Sequence, residues 1–171
     1  MGEQEDWKTI GAPWLEDFII WSLLTGLRKS ESHRLRFEDI TSSSGQVQAR
    51  IRETKSARPR SVPLGAEAQR VVDRTRAIPR REGDRRLFPV SANTLTRRLA
   101  ELWRTCGVHD VRLHDLRRSY ISRLVANGLD LRTVQEVSGH SDLKTLQRHY
   151  AQPANINKVA SASDTILSLG Q

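Results

Sequence analysis

Cysteine is nearly missing from this chain: Cys106 stands alone among 171 residues. One thiol closes no intramolecular disulfide and falls short of a cysteine-based zinc site, so a reducing compartment, the cytoplasm, is expected. Long apolar runs are missing too. The longest, Trp14 to Leu24, is broken by Glu16, Asp17 and Ser22, and no membrane association is expected. Met1 to Lys8 carries three acidic residues and lacks the basic start and apolar run of a secretory signal. The five histidines show neither zinc-ligand spacing nor an accompanying carboxylate cluster, which argues against a metal nuclease and leaves no cofactor expected. No internal repeat and no low-complexity arm is evident.

Acid is the scarcer charge. Twenty Asp and Glu stand against 28 Lys and Arg, a net charge of +8. That excess points to a polyanionic partner, nucleic acid first, although a merely soluble basic protein fits charge alone as well. The length suits one compact domain with a real core.

Hydrophobic spacing predicts a mostly helical α+β fold with a small antiparallel sheet in its first third. The segment 13–25 is too densely apolar for a surface stripe and reads as a buried helix ended by Thr25-Gly26. Ser30 to Leu35 reads as a short helix capped by Ser30. After the Ser42–Gly45 turn, Val47, Ala49 and Ile51 alternate at strand period, and Arg60 to Leu64 returns as an edge strand carrying Pro63. Helices are expected over 65–78, from Ser91 to Gly107, 114–126 and 130–137, with a weak amphipathic helix over 155–169. Arg80 to Arg86 reads as a solvated loop. Trp14, Trp21 and Trp103 read as core, and Trp7 is unplaced. His33 and His109 read as surface or capping residues.

Four separated segments place basic or nucleophilic residues beside tight turns. Thr25-Gly26-Leu27-Arg28-Lys29-Ser30-Glu31 sets Arg28 just past a buried helix, and Glu53-Thr54-Lys55-Ser56 puts Lys55 at a hairpin tip. His114-Asp115-Leu116-Arg117 brings His114 and Arg117 to one helix face. Ser138-Gly139-His140-Ser141 presents His140 from a loop, with Tyr150 following in a helix. Metal-free phosphodiester cleavage needs a nucleophile, fixed cations around the transition state and an acid for the leaving oxygen. Arginine suits the clamp through its planar fork of donors. Lysine suits the acid because its pKa falls near other cations, here Arg52, Arg58 and Arg60.

These segments resemble the signature boxes of the tyrosine recombinase, or phage integrase, family. The match spans about Trp14 to Gln152, and T-G-L-R-x-S-E, T-K then V-P-L, H-D-L-R-x-S and G-H-S before tyrosine stand in family order. The resemblance implies that Arg28 and Arg117 hold the scissile phosphate and that Lys55 is the general acid for the 5′-oxygen. It implies that His114 assists proton transfer from the nucleophile, His140 hydrogen-bonds the phosphate, Tyr150 attacks it and Glu31 supports the site from behind. The product would be a 3′-phosphotyrosine with a free 5′-hydroxyl, formed without metal or ATP, in site-specific recombination or integration. Arg52, Arg58, Arg60, Arg97 and Arg98 are the candidate contacts to double-stranded DNA. One departure stands out: Tyr150 lies ten residues after His140, one more than is usual in the family, and one added helical residue turns the tyrosine by about 100°.

A DNA-binding regulator that kept the fold and lost cleavage is the alternative, as is relaxation of the type IB topoisomerase kind. The first is disfavoured because every residue such a loss would remove is present; the second resembles the chain less well. The reading is one catalytic domain over 1–171, with its core over 13–152 and a tail over 153–171. The helical domain that the family places ahead of it has no counterpart in this sequence. The resemblance implies a tetramer on recombining sites, and the isolated domain is compatible with a monomer.

Overall fold

A computed structural model of the chain describes residues 12, 14–52 and 59–150. The densely apolar run forms helix α1, Trp14–Thr25, which buries Leu15, Phe18 and Trp21. It stops at Gly26, whose φ of +59° is a left-handed value that glycine adopts without a Cβ penalty.

Helix α2 spans Lys29–Arg34, and Ser30 is not its cap. Arg28 holds the capping position, and the acceptor is the carboxylate of Glu31, which takes a 2.8 Å hydrogen bond from the Arg28 backbone N–H. A charged acceptor three residues into the helix reaches back over its exposed N–H groups and makes the stronger bond. A 3-10 turn at Phe37–Asp39 leads into β1 (Ile40–Ser43), β2 (Gln46–Ile51) and β3 (Arg60–Pro63), an antiparallel sheet in that order. Ala49 pairs with Val62, and both are fully buried. Pro63 lies on an edge strand, as expected. Lys55, expected at a hairpin tip, and Arg58, like Trp7 and the segment 155–169, fall outside the described residues.

Helix α3, Ala66–Arg76, buries Ala68, Val71, Val72 and Thr75, the face its spacing predicts. Helix α4, Ala92–Thr105, is capped by Ser91, whose hydroxyl accepts from Thr94 N–H at 3.0 Å. Helices α5 (Leu113–Ala126), α6 (Leu131–Ser138) and α7 (Leu143–Tyr150) complete the chain among the described residues. Asp130 is the cap of α6 rather than its first residue, accepting from the N–H groups of Arg132 and Thr133. The loop over 80–86 is less solvated than expected. Arg80 donates to the carbonyls of Thr75, Ile78 and Arg86, and Arg86 grips Asp84 and the Val90 carbonyl, so two of its arginines pin the loop while Arg81 and Arg85 are exposed.

The main core lies between α1, the sheet, α3 and α4. Phe18 meets Phe88 edge-on at 5.0 Å, and Trp21 is fully enclosed, while Trp14 and Trp103 are half-buried against this core. A second cluster, Ile121, Val134 and Leu146, joins α5, α6 and α7. Helix α1 packs against both α3 and α5 and so links the two halves. No described helix is long and apolar enough to cross a membrane.

Candidate active site

A helix ends in carbonyls without intrahelical partners and in the negative pole of its dipole. At the end of α6, three arginines from distant stretches occupy three successive carbonyls. Arg60 Nε donates to Val137 O at 3.0 Å, Arg117 Nη2 to Ser138 O at 2.6 Å and Arg28 Nη2 to Gly139 O at 2.9 Å. Arg117 Nη1 donates to Gly26 O at 2.6 Å, tying α5 to the turn that carries Arg28. Gly139 is left-handed at φ +69°, and a Cβ there would stand 2.6 Å from the Arg60 guanidinium carbon. Conformation and space both require glycine. Gly26 is constrained in the same way, with the Tyr120 ring 2.2 Å from where a Cβ would sit.

Glu31 holds this cationic cluster together. Its side chain is 2% exposed and accepts from both terminal nitrogens of Arg60 at 2.9 Å, and from Arg28 Nη1 at 3.2 Å. Burial pushes its pKa up, but the hydrogen bonds from Arg60 and the Arg28 backbone, with both positive charges, outweigh that and leave it below the ordinary value. Arg117 is 3% exposed. Burial, and then the charge of Arg28, bring its pKa down to about 10, so it stays a cation at neutral pH. Three guanidinium groups against one carboxylate leave positive charge uncompensated, which suits an anion.

His140 stands beside them. Its Nδ1 lies 2.7 Å from Ser138 Oγ and 3.5 Å from Arg117 Nη2. Burial, followed by Arg117 and Arg28, lowers its pKa to about 4, so the ring is neutral at pH 7. His114, exposed on the first turn of α5, joins Arg28 and Arg117 in lining an open cleft of about 600 Å³ floored by Phe18, Leu99 and Trp103.

Tyr150 closes α7. Leu143, Leu146 and Tyr150 share one face of this helix, and all three pack on the α5–α6 cluster. Tyr150 thus ends a helix that runs unbroken from Leu143. Tyr150 lies within electrostatic range of Arg117, which sets it in that guanidinium's surroundings.

Of the residues expected at the site, Arg28 bonds Glu31 and Gly139 O, Arg117 bonds Ser138 O and lies 3.5 Å from His140, His114 and Tyr150 flank them, and Lys55 lies outside the described residues. Among the expected DNA contacts, Arg97 is exposed, Arg98 is paired with Glu101, and Arg52, 63% exposed, is paired with Asp39 and Glu38. Arg60 points inward, its side chain 8% exposed. Strand alternation carried that signal: Arg60 is two residues from buried Val62 and shares its face. His33 is half-buried, its Nε2 3.3 Å from Arg86 Nη1.

The model of the phage integrase family matches residues 10–156, and the chain belongs to that family. It is 34% identical over 143 residues to the tyrosine recombinase XerD of Neisseria meningitidis serogroup B, covering 77% of this chain and 48% of that protein. It is 31% identical over 134 residues to the tyrosine recombinase XerA of Saccharolobus solfataricus, covering 77% and 44%. The chain thus spans about half the length of the curated relatives it matches. Among solved structures, the fold is similar to that of a XerA recombinase, with a TM-score of 0.63, 21% identity and coverage of 96% and 64%. It is also similar to that of a XerH site-specific recombinase bound to its difH substrate, with a TM-score of 0.62, 23% identity and coverage of 86% and 45%.

Proposed function

We propose that this chain cuts and rejoins double-stranded DNA in site-specific recombination, through a 3′-phosphotyrosine and without metal or ATP. The observation that carries the reading is the convergence of Arg28, Arg117 and His140 on the end of α6, with Tyr150 on the next helix. Arg28 and Arg117 hold the two non-bridging oxygens of a phosphodiester, where their charge is worth most as the phosphorus becomes five-coordinate. Tyr150 Oη attacks phosphorus, the bond to the 5′-oxygen breaks, and Lys55 protonates the leaving oxygen while His114 helps remove the phenol proton. One phosphate ester replaces another, so a 5′-hydroxyl from a partner strand reverses the step. Arg52, Arg97 and Arg98 contact the DNA backbone, and four copies act on two recombining sites.

The test incubates the chain in chelator with a pool of nicked duplexes, whose short cleaved fragment diffuses away and traps the covalent adduct. The expected result is a nucleotide on Tyr150 by mass spectrometry, with Tyr150→Phe abolishing the adduct and keeping DNA affinity. An adduct on another residue, one that survives Tyr150→Phe, or none with the wild-type chain overturns the reading.

A further inference from the structure

Ser138 is fully buried at the last position of α6, and its hydroxyl is within reach of three groups, the most distant being Gln135 O at 3.4 Å. Oγ lies 2.5 Å from Val134 O, four residues back, and 2.7 Å from His140 Nδ1. A hydroxyl has one proton. The carbonyl can only accept, and two oxygens at that separation need a proton between them, so the serine proton goes to Val134 in the back-bond that helix serines commonly make. Ser138 Oγ then has only lone pairs to offer His140, and Nδ1 must be the donor. Arg117 Nη2 sits at the limit of hydrogen bonding from Nδ1, at 3.5 Å, and is committed to Ser138 O at 2.6 Å.

We infer that Ser138 is a positioning residue that holds His140 as the Nδ1–H tautomer, so that His140 can donate to a phosphate only after taking up a proton on Nε2. The tautomer of a histidine is set by the bond its other nitrogen makes. With Nδ1–H fixed, Nε2 of the neutral ring carries a lone pair, which repels an anionic oxygen. The charged and titratable groups around the ring oppose that proton in the free protein. They are Arg117 and His114 from α5, Arg28 from the turn before α2, and Arg60 from β3, with Glu31 bridging two of the arginines and Tyr150 of α7 acting on Arg117. A bound phosphate reverses the sign of the local field and draws the proton in. This second half rests on the cleavage reading above; the tautomer does not.

The tautomer is read directly from long-range proton–nitrogen correlation spectra of the free chain at pH 7. The expected spectrum shows His140 with a protonated Nδ1 and a bare Nε2. Ser138→Ala should move the ring toward the Nε2–H form that free histidine prefers, and Ser138→Thr, which keeps the hydroxyl, should restore Nδ1–H. A wild-type Nε2–H signal, or a tautomer unchanged in Ser138→Ala while near-UV circular dichroism stays native, overturns the inference. In single-turnover adduct formation, the wild-type rate should fall on the order of tenfold per pH unit on its alkaline limb. Ser138→Ala, already a donor when neutral, should flatten that limb, and parallel profiles overturn the proton-uptake half. If no adduct forms at all, the cleavage reading fails while the spectra still decide the tautomer.

Discussion

Replacing Arg60 by methionine keeps an unbranched apolar stem and removes the guanidinium. Three hydrogen bonds go with it: two to the Glu31 carboxylate at 2.9 Å and one to Val137 O at 3.0 Å. Glu31 is left with Arg28 alone, and its side chain is 2% exposed, so water does not replace the lost donors. Removing one partner of a buried ion pair costs about 3–5 kcal/mol. The Arg28 backbone N–H and Nη1 still bond the carboxylate, which places the expected loss at about 2–4 kcal/mol. Urea unfolding measures it as a lower midpoint at unchanged slope. Pairing the change with Glu31→Gln in a double-mutant cycle isolates the contact, because a neutral amide no longer needs the second cation. The double mutant should lose less than the two single losses together, by about 1–3 kcal/mol. A single-mutant loss under about 1 kcal/mol, or additivity within about 0.5 kcal/mol, would refute Arg60 as the buried partner of Glu31.

Two further outcomes follow from the same geometry. Gly26→Ala meets both a φ of +59° and the Tyr120 ring, whereas Gly45→Ala meets a φ of +76° with nothing within 4 Å. Both changes carry left-handed strain, so the excess loss at Gly26, expected at about 1–3 kcal/mol in urea, measures the ring contact; equal losses would remove it. Acid should also destabilise the chain through His140. Its pKa falls from 6.5 to about 4 on folding, so the unfolded chain binds the extra proton, and stability is lost as pH drops through that window. Glu31, its folded pKa also depressed, adds to the loss further down, as pH falls below the ordinary carboxylate range through its folded value. The His140 part should be on the order of 1–3 kcal/mol in pH-dependent urea titrations, and His140→Asn should flatten it.

Periodicity located the elements well wherever a buried face imposed a repeat. The α3 stripe of Ala68, Val71, Val72 and Thr75 is the expected one, as is the Val62 face of the returning strand. Caps were legible when the hydroxyl was local and uncontested, as at Ser91. At α2 a serine and a glutamate competed, and the choice depended on Arg60, 29 residues further along the chain, which holds Glu31 in place. No window of helical length contains that information. The site shows the same division. Its motifs mark Arg28 and His140 beside positive-φ glycines, Gly26 and Gly139, and Arg117 one helical turn after His114. The inward turn of Arg60 and the reach of Ser138 Oγ to His140 depend on how α6 ends against β3 and α5, which is tertiary packing.

The end of α6 also explains how three guanidinium groups stand together. Like charges at such range repel, and a single carboxylate, Glu31, offsets only part of that. The three carbonyls of Val137, Ser138 and Gly139 supply the rest, each bonded to a different arginine at the negative pole of the helix. A side-chain anion set there would cancel the cluster's attraction for an anion, whereas carbonyl dipoles fix the positions of the cations and leave their net charge in place. Arg28 and Arg117 are thus held in place by the protein's own carbonyls, the kind of fixed arrangement that electrostatic stabilisation of a developing negative charge requires. The backbone of α6, together with Glu31, is what allows this site to be both cationic and folded.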